Sequence, residues 1–311
     1  MATHQLTEKA QGKYHYTIGP YTEPVLKVRP GDTIVVETRD AFEGKIKDEK
    51  TRPSKVLEVP FLNPQSGPIY VEGAAKGDAL AVRIDAIKPR GPQPRGTCCL
   101  IPYFGGLTGT DVTATLQDPL PDLVRKVQIT EEEGTRWNDR ITFPYEPFIG
   151  TIGTSPQIDS INSLTAAKHG GNMDLADVCP GATIYFPVKV DGALLYLGDG
   201  HAVQGDGEVC GVAIEFATTT TITVNLVKGW ELAWPRLEND KFIMSIGSAR
   251  PMEDAARIAF ADLVHWMVSK FGFEKFDAYF VLSQVGKVRL ANMVDPNYTI
   301  GASISKGYLP K

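Results

Sequence analysis

Between Leu197 and Glu208 the chain reads LGDGHAVQGDGE, twelve residues that hold four glycines, three carboxylates (Asp199, Asp206, Glu208), His201 and Gln204. Asp199 and His201 stand two apart, so in an extended segment their side chains point the same way. An imidazole beside a carboxylate suits a borderline divalent cation such as zinc, whereas oxygen ligands alone suit calcium or magnesium. The glycines permit positive φ and can turn Asp206 and Glu208 back toward the same point. The blander alternative is a Gly-Asp turn cluster at a strand end with a solvated histidine. The density of ligand-type side chains favours a site.

A second stretch, AAKHGGNMD from Ala166 to Asp174, has the same flavour, with His169, Asn172 and Asp174 around two glycines. Alone it reads as a polar loop making local turn hydrogen bonds. Beside the first stretch it becomes a candidate second wall. Asp40, ending VVETRD, and Glu72, in GPIYVEGA, read as strand-end or surface carboxylates. His265 reads as structural within a helix, and Cys210, with no base placed beside it, as a buried inert thiol. Neither a nucleophile elbow nor a dinucleotide or phosphate loop is present.

Short β-branched segments must position these groups. DTIVVETRD, PIYVEG, DALAVRIDAI, ATIYFPVKV, ALLYLGD, GVAIEFATTTTITVNLV and KFIMSIGS read as strands, punctuated by 30 glycines and 22 prolines. VKVDGALLYLGD predicts a hairpin around Asp191-Gly192 that presents the opening motif at a strand end. PMEDAARIAFADLVHWMVSKFG predicts a helix that opens on Pro251 and acidic residues and stops at Gly272. FDAYFVLSQVGKVRLANMV reads as helix or strand in its first half. The expected fold class is mostly β with α additions (α+β): a β-sandwich or jelly-roll-like core with helices toward the C-terminal end. A β-rich part, 1–160, and an α+β part, 161–311, carrying the main motifs, are expected to form one integrated unit.

At 311 residues, 42% hydrophobic and 22% charged, the chain can bury a sizeable core. A net charge of −5 gives no support to nucleic acid or an anionic membrane as partner. No apolar run approaches the ~20 residues of a membrane span, and the first residues lack a secretory signal. Cys98, Cys99, Cys179 and Cys210 are too few and too irregular for a disulfide framework. A soluble, reduced, cytoplasmic protein is expected.

The pieces VLKVRPGDTIVVETRDAFEGKI, NPQSGPIYVEGAAKGDALAVRI, PFIGTIGTSP, HGGNMD, LGDGHAVQGDGEVCGVAIE and VDPNYTIGA follow one another along nearly the whole chain. With them the chain resembles the acetamidase/formamidase family, GDGHAVQGDGE being the most specific piece. The resemblance implies hydrolysis of short aliphatic amides such as formamide and acetamide to a carboxylate and ammonia. It also implies a β-sandwich with added helices and a homo-oligomer. TCCLIPYFGGLTGTD matches the family only loosely and is a candidate for setting substrate preference.

Amide hydrolysis needs an activated nucleophile, a stabiliser for the oxyanion and a proton for the departing amine. Asp199, His201 and Asp174 are therefore expected as ligands of a divalent metal ion, zinc with calcium as the alternative, that activates water. Glu208 is expected as general base and acid. Asn172 or a glycine N–H of HGGN would bind the oxyanion, and Asp206 completes the catalytic set. The metal follows from ligand type rather than from the resemblance. The rival reading is a calcium-stabilised β-sandwich binding module without catalysis. GDGHAVQGDGE holds no Arg or Lys for an anionic substrate, so a small neutral amide is expected, formamide and acetamide ahead of propionamide. LIPYFGGLTG and FIGTIG set apolar residues in glycine-rich stretches looser than core strands, and a subunit interface is expected to cover some of them.

Overall fold

The computed structural model describes residues 1–108 and 120–310, so the last three residues of TCCLIPYFGGLTGTD lie outside the described residues. Two large, mostly antiparallel sheets dominate. In the first, Thr218–Val227 lies between Thr33–Glu37 and Ala79–Pro89, and the sheet continues through Thr183–Pro187, Arg236–Glu238, Phe242–Ala249 and Tyr298–Ser305 to Lys287–Asn292. Its strands alternate inward and outward residues, as a period of two requires: Thr218, Thr220, Ile222 and Val224 are buried. The second sheet runs Thr142–Phe143, Gly134–Arg136, Leu123–Thr130, Arg95–Leu100, Glu215–Phe216, Leu195–His201, Phe148–Thr154, Gly170–Asn172. One apolar core joins the two sheets, with Ile34, Val82 and Ile222 from the first and Ile149, Leu197 and Phe216 from the second. The chain is thus mostly β, α+β in class, with a sandwiched sheet core. Both sheets draw strands from before and after residue 160.

The two long helices fall where expected, toward the C-terminal end, while two single-turn helices, Glu8–Gln11 and Pro53–Val56, lie in the first part of the chain. Met252–Phe271 ends on Gly272 in the left-handed conformation at φ 70°. It buries Ala255, Ala259, Leu263, Trp266 and Met267 against Ile243, Ile300, Ala302 and Ile304. A buried bidentate pair clamps it to the sheet, Arg236 donating from Nε to Asp262 Oδ2 at 2.7 Å and from a terminal nitrogen to Oδ1 at 3.0 Å. The ambiguous segment resolves as the helix Lys275–Val285. His265 lies on the exposed face of the longer helix. None of the described helices is long and apolar enough to cross a membrane.

Two local expectations are corrected. The turn at Asp191-Gly192 closes no hairpin: Thr183–Pro187 joins the first sheet and Leu195–His201 the second. Gly192, Ala193 and Leu194 all take positive φ (75°, 58° and 53°), so the chain crosses between layers there. A turn signal specifies a reversal, and the partner of each apolar strand is chosen by the core. FIGTIG is likewise no loose stretch. Phe148–Thr154 is buried at every position, paired on one edge with Leu195–His201 and on the other with Gly170–Asn172. Its small residues admit close neighbours on both faces.

Candidate active site

The second sheet delivers the opening motif. Leu195–His201 is its central strand, and antiparallel pairing sets His201 directly opposite Glu215 on one side and Phe148 on the other. Cross-strand partners share a face, so His201 Nε2 lies 3.2 Å from Glu215 Oε2 and 3.4 Å from Asp199 Oδ1. The Phe148 ring abuts the imidazole edge-on, with centroids 4.9 Å apart. On the ring's other nitrogen, His201 Nδ1 meets Gln204 Oε1 at 2.9 Å. The Gln204 amide is oriented by its own donations to Asp174 O and Ala291 O, at 2.9 and 3.0 Å. Its oxygen therefore faces the ring, Nδ1 carries the hydrogen, and Nε2 is the atom presented to the carboxylates.

Five carboxyl groups converge here: Asp174, Asp199, Glu208, Glu215 and Asp295, each at most 7% exposed, with His201 at 1%. One ligand atom each from Asp174, His201 and Glu208 lies within 4.8 Å of the others, and so do atoms of Asp199, His201 and Glu215. Asp174, Asp199 and Glu208 take positive φ (47°, 60° and 48°), as does Asn63 at 54°. Such backbone costs roughly 1–3 kcal/mol per residue away from glycine and gathers where side chains must be aimed. Gly207, at φ 88°, makes the turn that swings Glu208 inward.

An amide network fixes the carboxylates. Asn63 Nδ2 donates to Asp199 Oδ2 and to Asn172 Oδ1, each at 2.9 Å. Thr151 Oγ1, cross-strand from Asn172, lies 3.0 Å from Asp199 Oδ2 and also within reach of Asn172 Oδ1, its one hydrogen serving either acceptor. Asn172 Nδ2 donates to Asp174 Oδ2 at 3.0 Å and Asp295 Oδ2 at 2.8 Å. Both hydrogens of the Asn172 amide are committed, so it holds the acids in place and has none left for an oxyanion. Gly170 N–H donates to Ala167 O, and Gly171 sits opposite Ile152 in the ladder.

Crowded, buried acids resist ionising together. Burial, then the charges of Asp295 and Asp199, raise Asp174 well above the carboxylate range. Burial followed by Asp174 does the same to Glu208. Burial pushes Glu215 up to about 7 despite His201, and Asp295 up to about 8. For His201 burial works against the imidazolium, but Glu215 and Asp199 outweigh it and raise the ring well above its ordinary value. The site is an excess of negative charge seeking protons or a cation.

Of the residues singled out in the sequence, Asp174, Asp199, His201, Glu208 and Asn172 are brought together. Asp206 is not: it lies on the surface, its Oδ1 taking a hydrogen bond from Arg289 at 2.7 Å. Gly207 separates it from Glu208 and turns only the latter inward. His169 is buried nearby in sequence but forms no part of the cluster, and its ring nitrogens have no hydrogen-bond partner among the described residues. Asp40 caps the turn at Phe42 and Gly44, and Glu72 pairs with Arg29 on the surface. Glu215, Asp295, Asn63 and Thr151 were missed. Glu215 left one signal, a carboxylate inside the apolar run GVAIEF; Asn63 and Asp295 look like turn formers before proline.

The acids and His201 face a cavity of about 300 Å³ that Glu208 also lines. A family model described as the acetamidase/formamidase family matches residues 2–167 and 159–307 of the chain. The acetamidase of Mycolicibacterium smegmatis is 29% identical over 257 residues, covering 65% of this chain and 63% of that one. The chain spans less than two thirds of the length of the curated relatives it matches. Among solved structures, acetamidase from Yersinia enterocolitica superposes with a TM-score of 0.96 at 58% identity, covering 99% of this chain and 93% of that one. Acetamidase from Bacillus halodurans gives a TM-score of 0.88 at 32% identity, covering 98% of each chain.

Proposed function

The chain belongs to the acetamidase/formamidase family, and from that premise we propose that it hydrolyses linear carboxamides to a carboxylate and ammonia. The observation that carries the reading is Glu208. It is a buried carboxyl, its proton affinity raised by burial and by Asp174, facing the same cavity as His201. Among the described residues no group is hydrogen-bonded to it, so it can take a proton from water and pass it to the departing nitrogen.

A divalent cation fits the rest of the cluster. Asp174 Oδ1, Asp199 Oδ1 and Glu215 Oε2 are buried without a hydrogen-bond partner among the described residues, and a methyl built on Gly150 would fill the space between Asp174, Asp199 and His201. The ligands we propose are His201 Nε2 with Asp199 and Glu215, whose ligand atoms all lie within 4.8 Å of one another, a set suited to zinc over calcium because of the imidazole. Such an ion, when bound, lowers the pKa of water and polarises a carbonyl. The protein's own part is distinct. Gln204 fixes the histidine tautomer, Asn63, Thr151 and Asn172 hold the carboxylates, and Glu208 moves the proton. Water is consumed as its oxygen joins the acyl carbon, the C–N bond breaks, and its hydrogens leave with ammonia and the acid. The reading includes self-assembly, which would cover Tyr103 and Leu107, 74% and 48% exposed within LIPYFGGLTG.

The test is ammonia release from acetamide by purified protein, with metal content measured on the same sample. Turnover, its loss on chelation, and its loss together with the ion in His201→Ala are expected. Full activity in metal-free protein would remove the ion, and no ammonia from any simple amide would remove the function.

A further inference from the structure

Glu208 lines two cavities. One holds His201 and the other acids. The second, of about 420 Å³, is walled by Trp137, Val203 and Ile214 and rimmed by the exposed residues Gly205, Asp206 and Val209. Two half-buried thiols, Cys98 and Cys210, also line it. Cys98 Sγ and Cys210 Sγ lie 3.6 and 3.1 Å from one carbonyl oxygen, that of Val212, and within hydrogen-bonding reach of each other. Read along the chain, Cys210 is an inert thiol without a partner. The fold supplies the partner by setting Arg95–Leu100 beside Glu215–Phe216.

The surroundings decide which thiol gives way if the two are joined. Cys98 sits in a strand held on one edge by Leu123–Thr130 and on the other by Glu215–Phe216. Cys210 sits in a turn closed by Gly211 N–H donating to Glu208 O at 2.6 Å, while Glu208 N–H donates to Gly205 O at 3.1 Å. A disulfide sets its sulfurs about 2.05 Å apart, roughly 1 Å or more nearer than hydrogen-bonded thiols. The turn must yield, and Glu208 is its first residue. With the Cys98 hydrogen turned toward it, the Cys210 thiolate is favoured against burial and its pKa is held down at about 6. The thiolate is the attacking form.

We propose that Cys210 and Cys98 form an oxidative modification site: a hydroperoxide oxidises Cys210, Cys98 resolves it, and the disulfide draws Glu208 away from His201. The Cys210 sulfur attacks one peroxide oxygen and the O–O bond breaks. An alcohol, or water from hydrogen peroxide, leaves with the Cys210 proton, and Cys210 carries a sulfenic acid. The Cys98 sulfur then attacks that sulfur, the S–O bond breaks, and water leaves with the Cys98 proton. Two thiols thus give two electrons to one peroxide. The cavity admits the oxidant to both, whereas Cys99, next along the strand, is only 3% exposed. A shift of about 1 Å in Glu208 costs about 10²-fold in rate. That consequence rests on the amide-hydrolysis reading; the thiol chemistry does not.

Reduced protein is treated with hydrogen peroxide and its thiols are counted after denaturation. Peptides are mapped by mass without reduction, fragmentation separating Cys98 from Cys99, and ammonia release from acetamide is followed in parallel. Thiols are expected to fall from four to two, in one bridge joining Cys98 to Cys210. Turnover should fall about tenfold or more, and dithiothreitol should restore both thiols and rate. Cys98→Ser should keep its basal turnover, form no bridge, and leave a Cys210 sulfenic acid that dimedone traps. Four surviving thiols, a bridge between other cysteines, or a Cys98–Cys210 bridge with undiminished ammonia release overturns the inference. The wild-type count and bridge decide the matter even if the variant does not fold. Untreated protein that releases no ammonia overturns the hydrolysis reading instead, and the bridge still decides whether the thiols form the site.

Discussion

Gly150 lies between the paired positions Ile149↔Gly200 and Thr151↔Gly198, facing Asp199 across the ladder. A Gly150→Ala substitution puts one methyl group into the carboxylate cluster, 2.6 Å from Asp174 Oδ1, 2.7 Å from Asp199 Oδ2 and 2.9 Å from His201 Cε1. Relaxed non-bonded contacts need about 3.5 Å, so these groups must retreat by roughly 0.6–0.9 Å. Asp199 cannot swing freely, because Asn63 and Thr151 hold its Oδ2. Overpacking costs about 1–3 kcal/mol, offset by about 0.5–1 kcal/mol from replacing glycine within a strand. The net loss is between about zero and 2.5 kcal/mol, which a fold of typical stability, about 5–15 kcal/mol, survives. Catalysis has less tolerance, since a displacement near 1 Å costs about 10²-fold. Urea denaturation should show a folded protein with a modestly lowered midpoint, while ammonia release falls about 10²-fold or more and bound metal declines. A folded variant with wild-type kcat/KM and full metal content would refute the placement of the chemistry at this cluster.

Glu208→Gln keeps the side chain's size and removes its proton transfer; kcat should fall about 10²-fold or more with KM little changed and metal retained, and parallel loss of metal would make Glu208 a ligand instead. Burial holds the His169 imidazole neutral, its pKa down at about 4 against 6.5 when unfolded. The unfolded chain therefore binds the extra proton, so the stability is whole above pH ~6.5 and is lost as pH falls toward about 4. In urea titrations the unfolding free energy of wild type minus that of His169→Leu should fall by about 2 kcal/mol from about pH 7.5 to about pH 5; a constant difference would show that the ring titrates normally. Asp262→Ala strands Arg236 among buried aromatic rings, and a loss of about 3–5 kcal/mol is expected in the same titration; an unchanged midpoint would mean that water reaches the guanidinium.

The local chemistry of the chain was readable along it. Ligand-type side chains crowd LGDGHAVQGDGE, the helix before Gly272 announces its start, face and stop, and the strands show their period of two. Each is a property of neighbours a few residues apart, where backbone sterics and side-chain spacing act without help from the rest of the fold. The composition of the site is different in kind. His201 meets Glu215, and Thr151 meets Asn172, because strands pair across the sheet. Asp295 arrives beside Asp174 from more than a hundred residues away and is bonded through the same amide of Asn172. Even two carboxylates of one loop part company, Glu208 turning in after Gly207 while Arg289, on a strand of the other sheet, draws Asp206 outward. Periodicity says which face of a strand is buried, but the identity of the neighbour across that face is set by which pairing buries the most apolar surface and leaves the fewest polar groups unbonded. That choice is made only when the whole core closes.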